Sequence, residues 1–133
     1  MKLTILLLGF LGVPMFNWAQ VNGNHKYVGR IGDNLYITLE LAVKIKTGYV
    51  TYSGYYYYNA IGKPITLRGG YNAYAMNGSN PNAEDCIFEY VQEQNTGVLC
   101  FKRNAIGQHY LLGTWEDSKG KLRYKISLER IEL

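Results

Sequence analysis

Residues 35–58 decide the fold: LYITLELAVKIK (35–46), TG (47–48) and YVTYSGYYYY (49–58). In the first stretch Leu35, Ile37, Leu39, Leu41, Val43 and Ile45 share one parity. Tyr36, Thr38, Glu40, Lys44 and Lys46 take the other. A period of two sustained this long is a strand with one buried face, whereas a helix would spread these aliphatics around its circumference. Thr47-Gly48 supplies a turn, and Tyr49–Tyr58 continues the alternation, with Val50, Tyr52 and Gly54 opposite Thr51 and Ser53. Two such strands joined by a short glycine-containing turn make a hairpin.

The pattern repeats outward from this hairpin. A short strand is expected at Tyr27–Ile31. After a loop at Asn59–Pro64, alternation resumes in Ile65–Arg68 and ends at Gly69-Gly70. Residues 71–85 hold Asn72, Asn77, Gly78, Ser79, Asn80, Pro81 and Asn82, and read as a loop excursion at one end of the fold. Cys86–Val91 and Val98–Lys102 form a second hairpin around Gln94-Asn95-Thr96-Gly97, and a three-residue loop there sets Cys86 opposite Cys100. Tyr110–Glu116 and Leu122–Leu128 follow, joined by Asp117–Gly120; Leu122, Tyr124, Ile126 and Leu128 are the apolar parity of the last strand. Seven or eight short, turn-linked strands and no helix predict an all-β antiparallel meander, closed as a small barrel or folded as a sandwich. Closure removes exposed edges.

The chain has 133 residues, 47% hydrophobic and 18% charged, with 13 Tyr, 15 Gly and three Pro. That is one globular domain, not a coiled coil or a disordered tail. Met1-Lys2, the apolar run Leu3–Val13, Pro14 and the small Ala19 form the order of a secretory signal peptide over residues 1–19, leaving a domain at 20–133. The apolar run spans about 16 Å as a helix, too short for a retained membrane anchor. An exported chain, periplasmic or secreted, is therefore expected. The net charge is +4, yet Lys102-Arg103 is the sole adjacent basic pair. No basic patch supports a nucleic-acid partner.

Cys86 and Cys100 are the two cysteines. In an exported chain an even count reads first as a disulfide, with two buried free thiols as the alternative. A metal reading has His25 and His109 as further ligands but no ligand spacing. No metal or other cofactor is expected.

Several pieces stand in a recognisable order: Tyr27-x-Gly29-x-Ile31-Gly32, then Gly54–Tyr58, then Ile61-Gly62-Lys63-Pro64-Ile65-x-Leu67-x-Gly69, then Phe88-Glu89 and Gly113-x-Trp115, and an apolar closing strand. The chain resembles a set of exported bacterial proteins with small lipocalin-like or calycin-like β-barrels. The resemblance covers nearly all of residues 20–133 and implies fold and compartment, not activity.

Four consecutive tyrosines make the boldest candidate site. Parity puts Tyr55 and Tyr57 outside, about 7 Å apart, as a stacking platform, and Tyr56 and Tyr58 inside. The plainer reading is a barrel wall stiffened by cross-strand aromatic pairs. Trp115 is a core plug at one end or the wall of a ligand pocket. Asn77 and Asn80 place the excursion beside these as a contact loop; Asn77-Gly78-Ser79 also matches a glycosylation acceptor. Catalysis has weak support. No nucleophile motif surrounds Ser118 near Asp117 and His109, and of the carboxylates Glu40 and Glu89 the second alternates outward between Phe88 and Tyr90.

The expected function is a non-catalytic module that binds an envelope or secreted protein, as an inhibitor or immunity-type factor would. The alternative is a carrier of a small apolar ligand inside the barrel, and a hydrolase comes last. The aliphatic ladder from Leu35 to Ile45 favours a mostly filled interior.

Overall fold

A computed structural model of the chain describes residues 22–72 and 84–131. The predicted signal segment and the body of the Asn-rich excursion, with Asn77 and Asn80, lie outside the described residues. Eight strands follow one another: β1 (Gly23–Ile31), β2 (Leu35–Lys46), β3 (Tyr49–Tyr58), β4 (Ile65–Asn72), β5 (Glu84–Val91), β6 (Gln94–Lys102), β7 (Tyr110–Asp117) and β8 (Arg123–Arg130). Each is antiparallel to the next, and β1 also pairs with β8 from Tyr27↔Arg130 to Ile31↔Ile126. The sheet therefore closes into a barrel and is not a sandwich.

The inward parities of all eight strands meet in one core. Ile37, Leu39, Leu41 and Val43 of β2 pack with Tyr27, Ile31, Val50, Tyr52, Tyr56, Leu67, Ile87, Leu99, Phe101, Leu111, Ile126 and Leu128. The outward parities carry exposed Arg30, Lys44, Arg68, Lys102, Lys125 and Glu129. Apolar inside and charged outside is the reverse of a membrane-spanning barrel.

β2 and β3 begin and end where their alternation does, and Thr47-Gly48 takes positive φ at both positions, as a two-residue hairpin turn demands. Other boundaries differ from the expectation. β1 starts four residues before Tyr27. β4 does not stop at Gly69-Gly70 but runs through them to Asn72, so the predicted excursion loses its two ends, 71–72 and 84–85, to β4 and β5. A Cβ on Gly69 would stand 2.8 Å from the Cys86 carbonyl oxygen, so this glycine permits close strand contact and does not end the strand. Leu35 and Leu122, expected in the core, sit at a rim and are 46% and 50% exposed.

The second hairpin turns at Gln92-Glu93, both with positive φ, and not at 94–97. That turn type favours Asn-Gly, so two long side chains there gave no local signal. The register then shifts between Glu89 and Tyr90, where Thr96 is the extra residue of a β-bulge. Two turn residues and one bulge residue give the offset of the expected three-residue loop. Cys86 pairs with Cys100, their Cα atoms 4.1 Å apart and their sulfurs at bonding distance as a disulfide.

The 103–109 connection plugs one end of the barrel. Its Ile106 is buried in the core, and buried polar groups hold the backbone around it. The Tyr27 hydroxyl donates to the Gln108 carbonyl at 2.7 Å and accepts the Gly107 N–H at 2.9 Å. Arg130 Nη1 donates to the Gly107 carbonyl at 3.1 Å. Asp85 accepts from Arg103 Nε at 2.9 Å and from the Asn104 N–H at 3.2 Å. The opposite end, formed by residues 32–34, 59–64, 92–93 and 118–122, is here called the hairpin rim.

Tyr27→Phe keeps the ring and strands two backbone groups, so it should lower unfolding free energy by about 1–3 kcal/mol in urea titration. Leu112→Ser, on the exposed outer face, should change it by less than about 0.5 kcal/mol. Reduction of the disulfide should raise the intact mass by about two protons and cost about 3 kcal/mol of stability.

Candidate functional site

Strand β3 carries the tyrosine run, and its two faces do different things. Tyr55 and Tyr57 point outward, half-buried, with ring centroids 6.5 Å apart and planes 19° from parallel. The Tyr55 hydroxyl donates to Glu40 Oε2 on β2, directly across the strand pair. That hydrogen bond is the main reason its phenol is raised above the usual tyrosine range. Tyr36 joins them on the outside, 57% exposed, and Arg68 stacks over the Tyr90 ring at 4.2 Å. Outward Thr66 separates Tyr55 from Tyr90, giving an aromatic outer face across β2–β5.

Tyr56 and Tyr58 point inward, as the parity predicts, and meet edge to face at 5.7 Å. Tyr56 is fully buried and donates its hydroxyl to Glu89 Oε2. Burial, then the Glu89 charge and that hydrogen bond, push the Tyr56 phenol far above the usual range. It stays an O–H donor throughout the physiological range.

Glu89 corrects the sequence reading. It does not alternate outward: it is 4% exposed on the barrel's inner side, while Phe88 is 42% exposed outside. The parity of β5 was ambiguous, because Phe88 and Tyr90 are more apolar than Asp85 and Glu89. Pairing decides it. Cys86 and Phe88 lie opposite Cys100 and Val98, and the other face of β6 holds the larger buried Leu99 and Phe101. Thr96, turned by the bulge, donates to Glu89 Oε1 at 3.2 Å. Gly97 leaves the space for this carboxylate, since a Cβ there would fall 2.5 Å from Glu89 Oε1. The sequence alone places Thr96 and Gly97 in a turn, and only the bulge makes them neighbours of the carboxylate.

Trp115 faces inward on β7, half-buried against the core, and stacks on Tyr124 at 5.8 Å and 23°. It stands towards the hairpin rim, next to Glu116-Asp117, whose partners across the ladder are Val98 and Gly97. Between the β1–β2 turn and the β3–β4 loop the same rim holds an open depression of about 590 Å³ lined by Asn34, Leu35, Tyr36, Tyr58, Asn59, Ala60 and Ile61. Ile61 is 72% exposed. Leu35 and Ile61 are not among the candidate site residues of the sequence, although an isoleucine in a Gly-Lys-Pro loop is an available signal.

The catalytic candidates do not converge. His109 lies beside the plug, 3.7 Å from Glu129, and Ser118 follows the far end of β7, roughly 23 Å away at 3.3 Å per residue. Asp117 Oδ1 instead accepts the backbone N–H groups of Lys121 and Leu122 at 2.7 and 2.9 Å. Glu40 and Glu89 stand on opposite faces of the wall. Among the described residues no group of three or more His, Cys, Asp or Glu side chains is arranged to hold a metal ion. No protein-family model, curated protein or solved structure matches the chain.

The raised tyrosines set an alkaline limit. Above pH 10 the unfolded chain releases phenol protons that Tyr56 in the barrel retains, so the folded state binds more protons and stability falls as pH rises. The slope for Tyr56 alone is about 1.4 kcal/mol per pH unit. Urea midpoints measured from pH 8 to 11 should decline above pH 10, and less steeply in Tyr56→Phe.

Proposed function

We propose that the protein is an exported, non-catalytic module that binds another protein through its hairpin rim and the adjoining outer tyrosine face. The observation that carries this reading is the exposure of large apolar groups around the depression at residues 34–36 and 58–61. Leu35, Tyr36 and Ile61 are 46%, 57% and 72% exposed and line one open depression together, whereas Tyr110 and Leu112, each 65% exposed, lie on the outer face towards the plugged end and border no such depression in common with them. An apolar patch flanked by amide side chains, here Asn34 and Asn59, is the anatomy of a protein contact: an apolar centre with hydrogen bonds at its edge. Tyr36, Tyr55 and Tyr57 extend it with rings that lose little conformational freedom on binding.

The carrier alternative has less support, because bulky side chains from Tyr27 to Leu128 occupy the barrel interior. Export is supported by the disulfide, which persists in oxidising compartments. Among the described residues no helix is long and apolar enough to cross a membrane.

The test is capture from envelope and culture-fluid extract, followed by titration of the purified captured protein against wild type and three variants. Ile61→Ser and Tyr57→Ala should each weaken a one-to-one complex at least tenfold, about 1.4 kcal/mol. Lys44→Ala, on the outer face at the other end of β2, should leave it unchanged. Equal affinity for all three variants would remove the rim from the reading, and a co-purifying apolar small molecule in the native protein would favour the carrier.

A further inference from the structure

The inner side of β5 buries two carboxylates, and their surroundings differ in one respect. Asp85 and Glu89 are 2% and 4% exposed and lie four residues apart, roughly 13 Å along the strand. Asp85, towards the plug, has a cation: the Arg103 guanidinium at 2.9 Å. Glu89, towards the hairpin rim, is held by two neutral hydroxyls, those of Tyr56 and Thr96. The ion pairs within 4 Å among the described residues are Arg68–Glu93, Arg103–Asp85 and His109–Glu129, and Glu89 is in none of them. A carboxylate buried without counter-charge costs several kcal/mol, so such a group is selected against unless something at the site uses it.

Three further observations lie at the same end of the barrel. A Cβ at residue 97 would fall 2.5 Å from Glu89 Oε1, so the glycine gives this carboxylate its place on the inner side of the wall. Two aromatic pairs stand on the inward parity there, Tyr56 with Tyr58 and Trp115 with Tyr124. The Trp115 indole N–H is buried with no acceptor among the described residues; being a donor it cannot bond an ammonium, so Trp115 offers a cation its ring face and not its N–H. Aromatic faces and a carboxylate attract the same class of ligand, an organic cation. One carboxylate and two hydroxyls are too few oxygen ligands for a calcium site and suit an ammonium head, which needs three acceptors or fewer.

We propose that the hairpin rim is a binding site for a small organic ammonium ion, whose charged head pairs with Glu89 and whose carbon body packs against Tyr58 and Trp115. This goes beyond the protein-binding reading and does not depend on it: the head contact is Glu89 on the inner side of the wall, and the two readings share Tyr58, which also lines the depression. Both rings are half-buried at the barrel end, so access requires rotation of side chains and no separation of strands. The filled core beneath limits the site to the mouth, which fits a head of a few heavy atoms and not a long apolar chain.

The experiment titrates n-butylammonium chloride into the oxidised full-length protein at constant ionic strength, read by the Trp115 indole resonance in NMR and by calorimetry. The neutral isostere n-butanol is the control. The expected result is saturable binding of the ammonium, no saturation by n-butanol, and at least tenfold weaker ammonium binding in Glu89→Gln. Trp115→Leu, which leaves the carboxylate in place, should weaken binding several-fold and keeps the test valid should Glu89→Gln not fold. Thr96→Val removes one hydroxyl from the carboxylate without removing its charge, so binding should persist. Lack of saturation by the ammonium, equal binding of n-butanol, or undiminished affinity in Glu89→Gln would each overturn the proposal.

Discussion

Pairing of β1 with β8 is the constraint from which the rest of the molecule follows. While the sheet is open, an inner and an outer face are only two parities; once Tyr27–Ile31 bonds to Ile126–Arg130, one parity is enclosed and the other is solvated. Closure also brings Tyr27 and Arg130 side by side, and both hold the 103–109 connection over the end of the core. A single hydroxyl that accepts one backbone N–H and donates to a neighbouring carbonyl satisfies a turn that is buried with Ile106. Without it, two buried backbone groups would lack partners, and the plug would have little reason to stay.

The plugged end and the hairpin rim are built from different chemistry. At the plug, Asp85 is matched with Arg103 and Arg130 with a carbonyl, and buried His25 shares the interior there with apolar side chains. At the rim the inward groups are tyrosines, a tryptophan, a threonine and a carboxylate with no ion-pair partner among the described residues, and the exposed groups include Leu35, Ile61, Val91 and Leu122. Strand β3 shows the division within one segment: Tyr55 bonds Glu40 on the outside, and Tyr56, its neighbour, bonds Glu89 on the inside.

How far the residues themselves reveal this depends on how local the governing interaction is. β2 was legible to the residue because six aliphatics on one parity cannot be placed otherwise, and β3 followed from its turn. The inward direction of Tyr56 and Tyr58 was legible for the same reason. The direction of Glu89 was not. Cys86–Val91 has apolar residues on both parities, and hydropathy alone prefers Phe88 and Tyr90 inside. The partner strand overrides it, since Leu99 and Phe101 must be buried and Cys86 faces Cys100. Gly69-Gly70 misled in another way: glycine that ends a strand and glycine that lets two strands approach look alike until the neighbouring backbone is in place.

By itself the sequence determined the class of the protein: an all-β meander of short strands, one domain, a tyrosine-rich wall with two outward and two inward rings, and a pair of cysteines flanking one hairpin. These depend on period-two alternation and on turn chemistry, which act within a few residues. Tertiary structure alone decided that the meander closes, that 103–109 seals one end, that a bulge at Thr96 aligns the cysteines, and that Glu89 is enclosed among hydroxyls with no ion-pair partner among the described residues. Each of these depends on contacts between residues far apart in the chain, Tyr27 with Gln108 or Tyr56 with Glu89. Only a closed barrel brings such pairs together, and no local pattern of polar and apolar residues encodes which of them will meet.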